Sequence, residues 1–138
     1  MLRKTGQFVT VRDWIWLLDD MGQQPFHPPN VNGWDQDEAW MTTAAARARF
    51  QAASRVVRDM NIKDGSIAKA QTPKIALERA VATTGDPWIG PQTRAALQRF
   101  ARTSVAGRDR PWEVKHYFPE RQRVLRHMLL SGPDAQVC

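Results

Sequence analysis

Residues 21–34, MGQQPFHPPNVNGW, decide how the rest of the chain is read. Three prolines, two aromatics, a histidine and a closing Gly-Trp follow directly on a helical pattern. Connecting loops draw mainly on Gly, Pro, Asn, Asp and Ser, and large aromatic rings are out of place in them. Proline fixes φ and removes a backbone donor, so the stretch is expected to form a rigid loop. The weight of Phe26 and Trp34 is expected to fold that loop down onto a core.

Helical patterns lie on both sides. Val11, Trp14, Ile15, Leu18 and Met21 recur at helical spacing, with Thr10 as N-cap and Asp13 completing a weak capping box. Gly22 supplies the left-handed stop. Beyond the loop, Asp35 or Asp37 is expected to cap a long helix over roughly 38–61. Its apolar side would be Trp40, Met41, Ala44, Ala45, Ala48, Ala52, Val56 and Met60, with Arg47, Gln51, Ser54, Arg55 and Arg58 opposite. Residues 61–71 read as a polar connection. Thr72-Pro73 is a cap followed by proline at the first helical position, and that helix stops at Gly85. Gly90-Pro91 opens another, with Ala96, Leu97, Phe100 and Ala101 inward. Residues 103–118 lack clear periodicity and read as a loop anchored by Trp112 and Tyr117. Pro119 then starts a last helix with the stripe Val124, Leu125, Met128 and Leu129, ending at Ser131-Gly132-Pro133. The expected fold is all-α: residues 1–138 as one domain, a bundle of about five helices with a rigid Pro/Trp-rich loop after the first.

The bulk numbers bound the function. Six tryptophans and five phenylalanines in 138 residues offer enough apolar bulk for a core. A net charge of +6 permits nucleic acid, anionic lipid or a wall polymer as partner. Fifteen of the twenty cations are arginine, so much of that charge is compositional. The lone Cys138 excludes an internal disulfide, and no Cys/His spacing suits zinc. No apolar run approaches the roughly 18 residues of a membrane span. The segment MLRKTGQFVTVRDW has neither the apolar centre nor the cleavage site of a secretory signal, which leaves localisation open. Phosphate loops, nucleophile elbows and metal-ligand clusters are absent from the sequence, so no cofactor is assigned and no catalysis is evident.

Gly22, Gln23, Phe26, Pro28, Pro29, Val31, Gly33, Trp34 and Trp40, in that order, resemble the hallmark of the uncharacterised bacterial DUF1800 family. Residues 75–103 are similar to that family's pair of short helices around a small turn. Residues 124–136 are similar to its closing helix and Ser-Pro-Glu-x-Gln ending, with Gly132 before Pro133 and Asp134 in place of Glu. The resemblance covers only the C-terminal part of proteins that are typically several hundred residues long, often exported and often encoded beside a second secreted protein. It implies a structural or interaction role here, with the remaining N-terminal part of a longer protein or that co-encoded protein as partner. A second, shorter resemblance links residues 89–100 to small peptidoglycan-binding modules.

Gln23, Phe26, His27, Asn30, Asn32, Trp34 and Trp40 form the candidate binding set. His27 suits acid-base work near neutral pH if Asp19, Asp20, Asp35 or Asp37 orients its ring, which is the hydrolase alternative. Trp34 and Trp40 beside Asp35, Asp37 and Glu38 resemble the dressing of a carbohydrate site, with the amides reading hydroxyls of a glycan or cell wall. The string RPWEVKHYF, residues 110–118, mixes cations and aromatics, and Arg47, Arg49, Arg55 and Arg58 add a basic helix face. Asp109, Glu113 and Glu120 dilute that mixture, which weighs against nucleic acid.

Overall fold

The structure, a computed structural model, describes residues 11–34, 42–60, 62 and 71–136. Among them run five α-helices and no β-strand: α1 (Val11–Asp20), α2 (Thr43–Asp59), α3 (Pro73–Thr83), α4 (Pro91–Thr103) and α5 (Pro111–Ser131), followed by a 3-10 turn at Pro133–Gln136. The chain is all-α. It packs as two compact units, Met1–Asp59 and Met60–Cys138.

In the first unit α1 packs against α2. The end of α1 follows the sequence reading. The Gln23 N–H donates to Leu18 O at 2.8 Å and the Gly22 N–H to Asp19 O at 2.7 Å, the paired bonds of a Schellman motif. Gly22 sits at φ +68°, where a Cβ would add strain. Among residues 14–20, Leu17 is buried, Trp14 and Leu18 are half-buried, and Ile15 and Trp16 are exposed, so the stripe is rotated from the expected one. The N-terminus of α2 is capped by Thr42, whose Oγ1 accepts from the Ala45 N–H at 3.1 Å. Thr10, Asp35, Asp37, Trp40 and Met41 lie outside the described residues. The buried face of α2 is Ala45, Ala48, Arg49, Ala53 and Val57, while Ala44 is exposed and Ala52 and Val56 are half-buried. An alanine buries too little apolar area to fix a helix rotation, which is why an alanine-rich pattern misphases. Arg49 therefore leaves the basic face that the sequence suggested.

The second unit is built on α3, α4 and α5. Thr72 caps α3, its Oγ1 accepting from the Ile75 N–H at 3.3 Å, with Pro73 at the first helical position. Ala76, Leu77 and Ala80 of α3, Ile89, Leu97 and Ala101, and Leu125 and Leu129 of α5 make one core cluster. The alanines let the helix axes approach closely.

The last helix departs from expectation. It begins at Pro111, not Pro119, and residues 111–118 are helix rather than loop. The Arg110 N–H donates to Glu113 Oε2 at 3.0 Å, so a glutamate at the third helical position satisfies an orphan donor before a proline start. Pro119 sits inside the helix. Its missing N–H leaves the carbonyl of Lys115 without its helical partner, and Lys115 is exposed to solvent. Periodicity hid its first two turns because Phe118 is the one buried residue of 111–118, and the inward positions that follow mix Arg121, Gln122 and Arg126 with Leu125 and Leu129. Trp112, expected as an anchor, is exposed, as are Trp16, Trp34 and Trp88. Among the described residues the core is made mainly of leucine, alanine and isoleucine, with Val57 and Phe118, and includes no tryptophan.

Arg121 is 1% exposed. Its guanidinium donates to Ala101 O (3.3 Å), Gln71 O (3.0 Å) and Gln71 Oε1 (2.9 Å), and stacks 4.6 Å over the Phe118 ring. Gln122 Nε2 donates to Ala76 O at 2.9 Å. This polar node ties the segment before α3, the end of α4 and the middle of α5 together. Burial pushes the Arg121 guanidinium below its ordinary range, the direction desolvation imposes on a cation.

The closing turn is fixed from two sides. Asp134 Oδ2 accepts from the Gly90 N–H at 2.9 Å, placing a carboxylate at the N-terminus of α4, where negative charge is stabilised. The acid that resembles the family's C-terminal glutamate is thus a capping group supplied from 44 residues away. A Cβ on Gly132 would lie 2.5 Å from Met128 O, so the chain can leave α5 this closely only with glycine there.

Candidate functional site

The loop after α1 is held by its own backbone. The His27 N–H donates to Gln24 O at 3.2 Å, closing a turn with Pro25 second and Phe26 third. Phe26 has φ +61°. A positive φ at the third position is the pattern of a type II turn, normally filled by Gly or Asn. A second turn follows, with the Gly33 N–H donating to Asn30 O at 3.1 Å and the Asn32 N–H to Asn30 Oδ1 at 2.8 Å. The Trp34 indole Nε1–H closes the loop onto Gln24 O at 3.1 Å. Proline has removed three donors, and two turns, an Asx bond and an indole bond fix much of what remains.

The loop is pinned by these bonds but does not fold down onto a core. Residues 25–32 are exposed throughout, with Phe26 at 98% and Val31 fully in solvent. Trp34 retains 39% of its surface exposed. The bonds that close the loop, from the His27 N–H and the Trp34 indole, both end on Gln24 O at its own base, and the positive φ of Phe26 falls at the turn between. Residues 21–34 contain no Asp, Glu, Lys or Arg, so the surface is apolar and amide in character.

The sequence-derived candidates are placed as follows. Phe26, His27, Asn30, Asn32 and Trp34 share the loop, and Gln23 is half-buried at its base with its N–H committed to the helix end. Trp40 lies outside the described residues, as do Asp35, Asp37 and Glu38, so the paired-tryptophan carbohydrate arrangement falls there too. His27 is exposed, and among the described residues no hydrogen bond or ion pair joins its ring to Asp19 or Asp20. Among the described residues no group of three His, Cys, Asp or Glu side chains could hold a metal ion. No helix among them is long and apolar enough to cross a membrane.

One feature escaped the sequence reading. An open, mostly apolar groove of about 400 Å³ runs between α4 and the end of α5, lined by Gln92, Thr93, Ala96, Leu97, Met128 and Ser131. Ala96, expected inward, is exposed on the wall of this groove, which Gly132 and Pro133 also line.

Comparison with known proteins places the chain by family. Residues 1–137 match the model of a family described as "Protein of unknown function (DUF1800)". No curated protein and no solved structure matches the chain.

Proposed function

The chain belongs to the DUF1800 family of proteins of unknown function, and from that premise we propose that it is a non-catalytic interaction module whose contact surface is the loop of residues 21–34. The observation that carries this reading is Phe26, a large apolar side chain held fully in solvent at a backbone conformation that costs about 1–3 kcal/mol for a residue with a Cβ. A sequence selected only for folding would place glycine or asparagine at that turn position. Strain spent on presenting a ring outward, beside Val31 and the exposed part of Trp34, supports an apolar partner surface: another segment of a longer DUF1800 polypeptide or a protein encoded with it. Pre-organisation of the loop lowers the entropy cost of such a contact.

Phe26→Gly tests the loop directly. Its unfolding free energy is expected to stay within about 1 kcal/mol of the parent, because positive φ is relieved and no buried contact is lost. A photo-reactive phenylalanine analogue at position 26, used in the source cells, is expected to give one discrete polypeptide adduct. Loss of more than about 2 kcal/mol in Phe26→Gly would assign the ring to the fold, and absence of any adduct would remove the contact. A second reading, a polysaccharide- or peptidoglycan-binding module, is favoured by the groove beside residues 92–97, the stretch that resembles wall-binding modules. Retention of the chain on insoluble peptidoglycan at low salt, unaffected by Phe26→Gly, is the result expected of that reading. The hydrolase alternative has the exposed His27 as its only described support.

A further inference from the structure

The charge of the molecule is unevenly placed. Residues 60–138 hold 13 Lys and Arg against 7 Asp and Glu, whereas residues 1–59 hold 7 of each. The whole excess of +6 therefore belongs to the second unit. Within it, residues 87–119 carry six cations (Arg94, Arg99, Arg102, Arg108, Arg110 and Lys115) and only two acids, Asp109 and Glu113. Of the six, all but the half-buried Arg108 are exposed.

The start of α5 adds aromatic surface to this charge. The Arg108 guanidinium lies 3.4 Å over the Tyr117 ring, and His116 meets the same ring edge-on with centroids 4.9 Å apart. Trp112 is 6.4 Å from Tyr117 and 57% exposed. Two of the acids that dilute the pattern in sequence have partners in or at the start of α5, although Glu113, bonded to a neutral amide, keeps its charge. Glu113 Oε2 accepts from the Arg110 N–H at the helix start, and Glu120 pairs with Arg123 within α5. Asp109 remains as the exposed carboxylate of the corner.

We infer that the corner formed by the α4–α5 connection and the first turns of α5 binds single-stranded nucleic acid, with Trp112 stacking a base and Arg108, Arg110 and Lys115 taking phosphates. Grooves for single strands combine these two elements, an aromatic plane that accepts any base and cations that follow the backbone. The stack of Arg108 on Tyr117 holds the guanidinium plane in place before a ligand arrives, leaving its edge to a phosphate oxygen. Trp112 has an open face because the core is completed without it.

The test is a fluorescence-anisotropy titration of the 138-residue chain with a labelled oligo(dT) of about 16 nucleotides, the upper range of such site sizes. Binding is expected to weaken with salt at a log–log slope of about −2, the value for three phosphate contacts on a single strand. Trp112→Ala is expected to lower affinity about 5- to 150-fold, with far-UV circular dichroism unchanged because the side chain is exposed. Lys115→Gln is expected to reduce the salt slope by about 0.7 and to leave the Trp112 effect in place. Equal affinity for heparin together with an unchanged Trp112→Ala would show a generic polyanion surface and overturn the assignment. No binding at low salt would overturn it too.

Discussion

Arg121→Ala is expected to destabilise the second unit by about 2–4 kcal/mol, read as a lower urea midpoint at unchanged slope. The substitution removes three hydrogen bonds at once and leaves Ala101 O and Gln71 O short of their side-chain donor in a dry environment, while Gln71 Oε1 keeps only the 3.4 Å bond from Gln122 Nε2. Each buried group so orphaned costs about 1–3 kcal/mol, partly offset by release of a desolvated cation. The cavity beneath Phe118 adds to the loss. Two further variants separate charge from geometry. Arg121→Met keeps most of the volume without donors and should lie between parent and alanine. Arg121→Lys keeps the charge but cannot fork to two residues while stacking on Phe118, so it should not restore the parent midpoint. An Arg121→Ala midpoint equal to the parent would show that the node is incidental to stability.

Leu125→Ala should cost about 2–5 kcal/mol, the range for deleting a buried leucine side chain. Leu125 has no exposed surface and sits in the cluster with Leu77, Leu97 and Leu129. It lies one helical turn from Arg121, so the two losses share neighbours and the double variant is expected to depart from their sum. Leu125→Ile, which keeps the volume, should cost less than about 1.5 kcal/mol. Urea unfolding followed by far-UV circular dichroism reads all three. A loss below about 1 kcal/mol in Leu125→Ala would mean that the three-helix cluster is not the core of this unit.

Where a local signal suffices, the sequence was legible. The stop of α1 at Gly22, the Thr72-Pro73 start of α3 and the Gly90-Pro91 start of α4 are each written in two residues, and all three stand in the structure. The first half of α5 was not, because Phe118 is its one buried residue before Arg121, so residues 111–118 carry no apolar period, and Pro119 reads as a helix start; the buried Arg121 and Gln122 that follow find partners at Gln71, Ala76 and Ala101, 20 to 51 residues away. No window along the chain reveals that such residues are inward. The candidate loop was legible as a loop, since proline acts locally. Its outward course was not: its turn takes a positive φ at Phe26, a choice that phenylalanine itself disfavours. Glu120 likewise dilutes the basic string less in the fold than along the chain, because it pairs with Arg123 within α5.

The surface position of the tryptophans governs how this protein must be watched. Four of the five tryptophans among the described residues are exposed in the folded chain. Their indoles are already in contact with water, so unfolding should shift the emission of these four little, even where the helices lose their order together. These four are better suited to seeing something arrive at the surface than to seeing the core come apart.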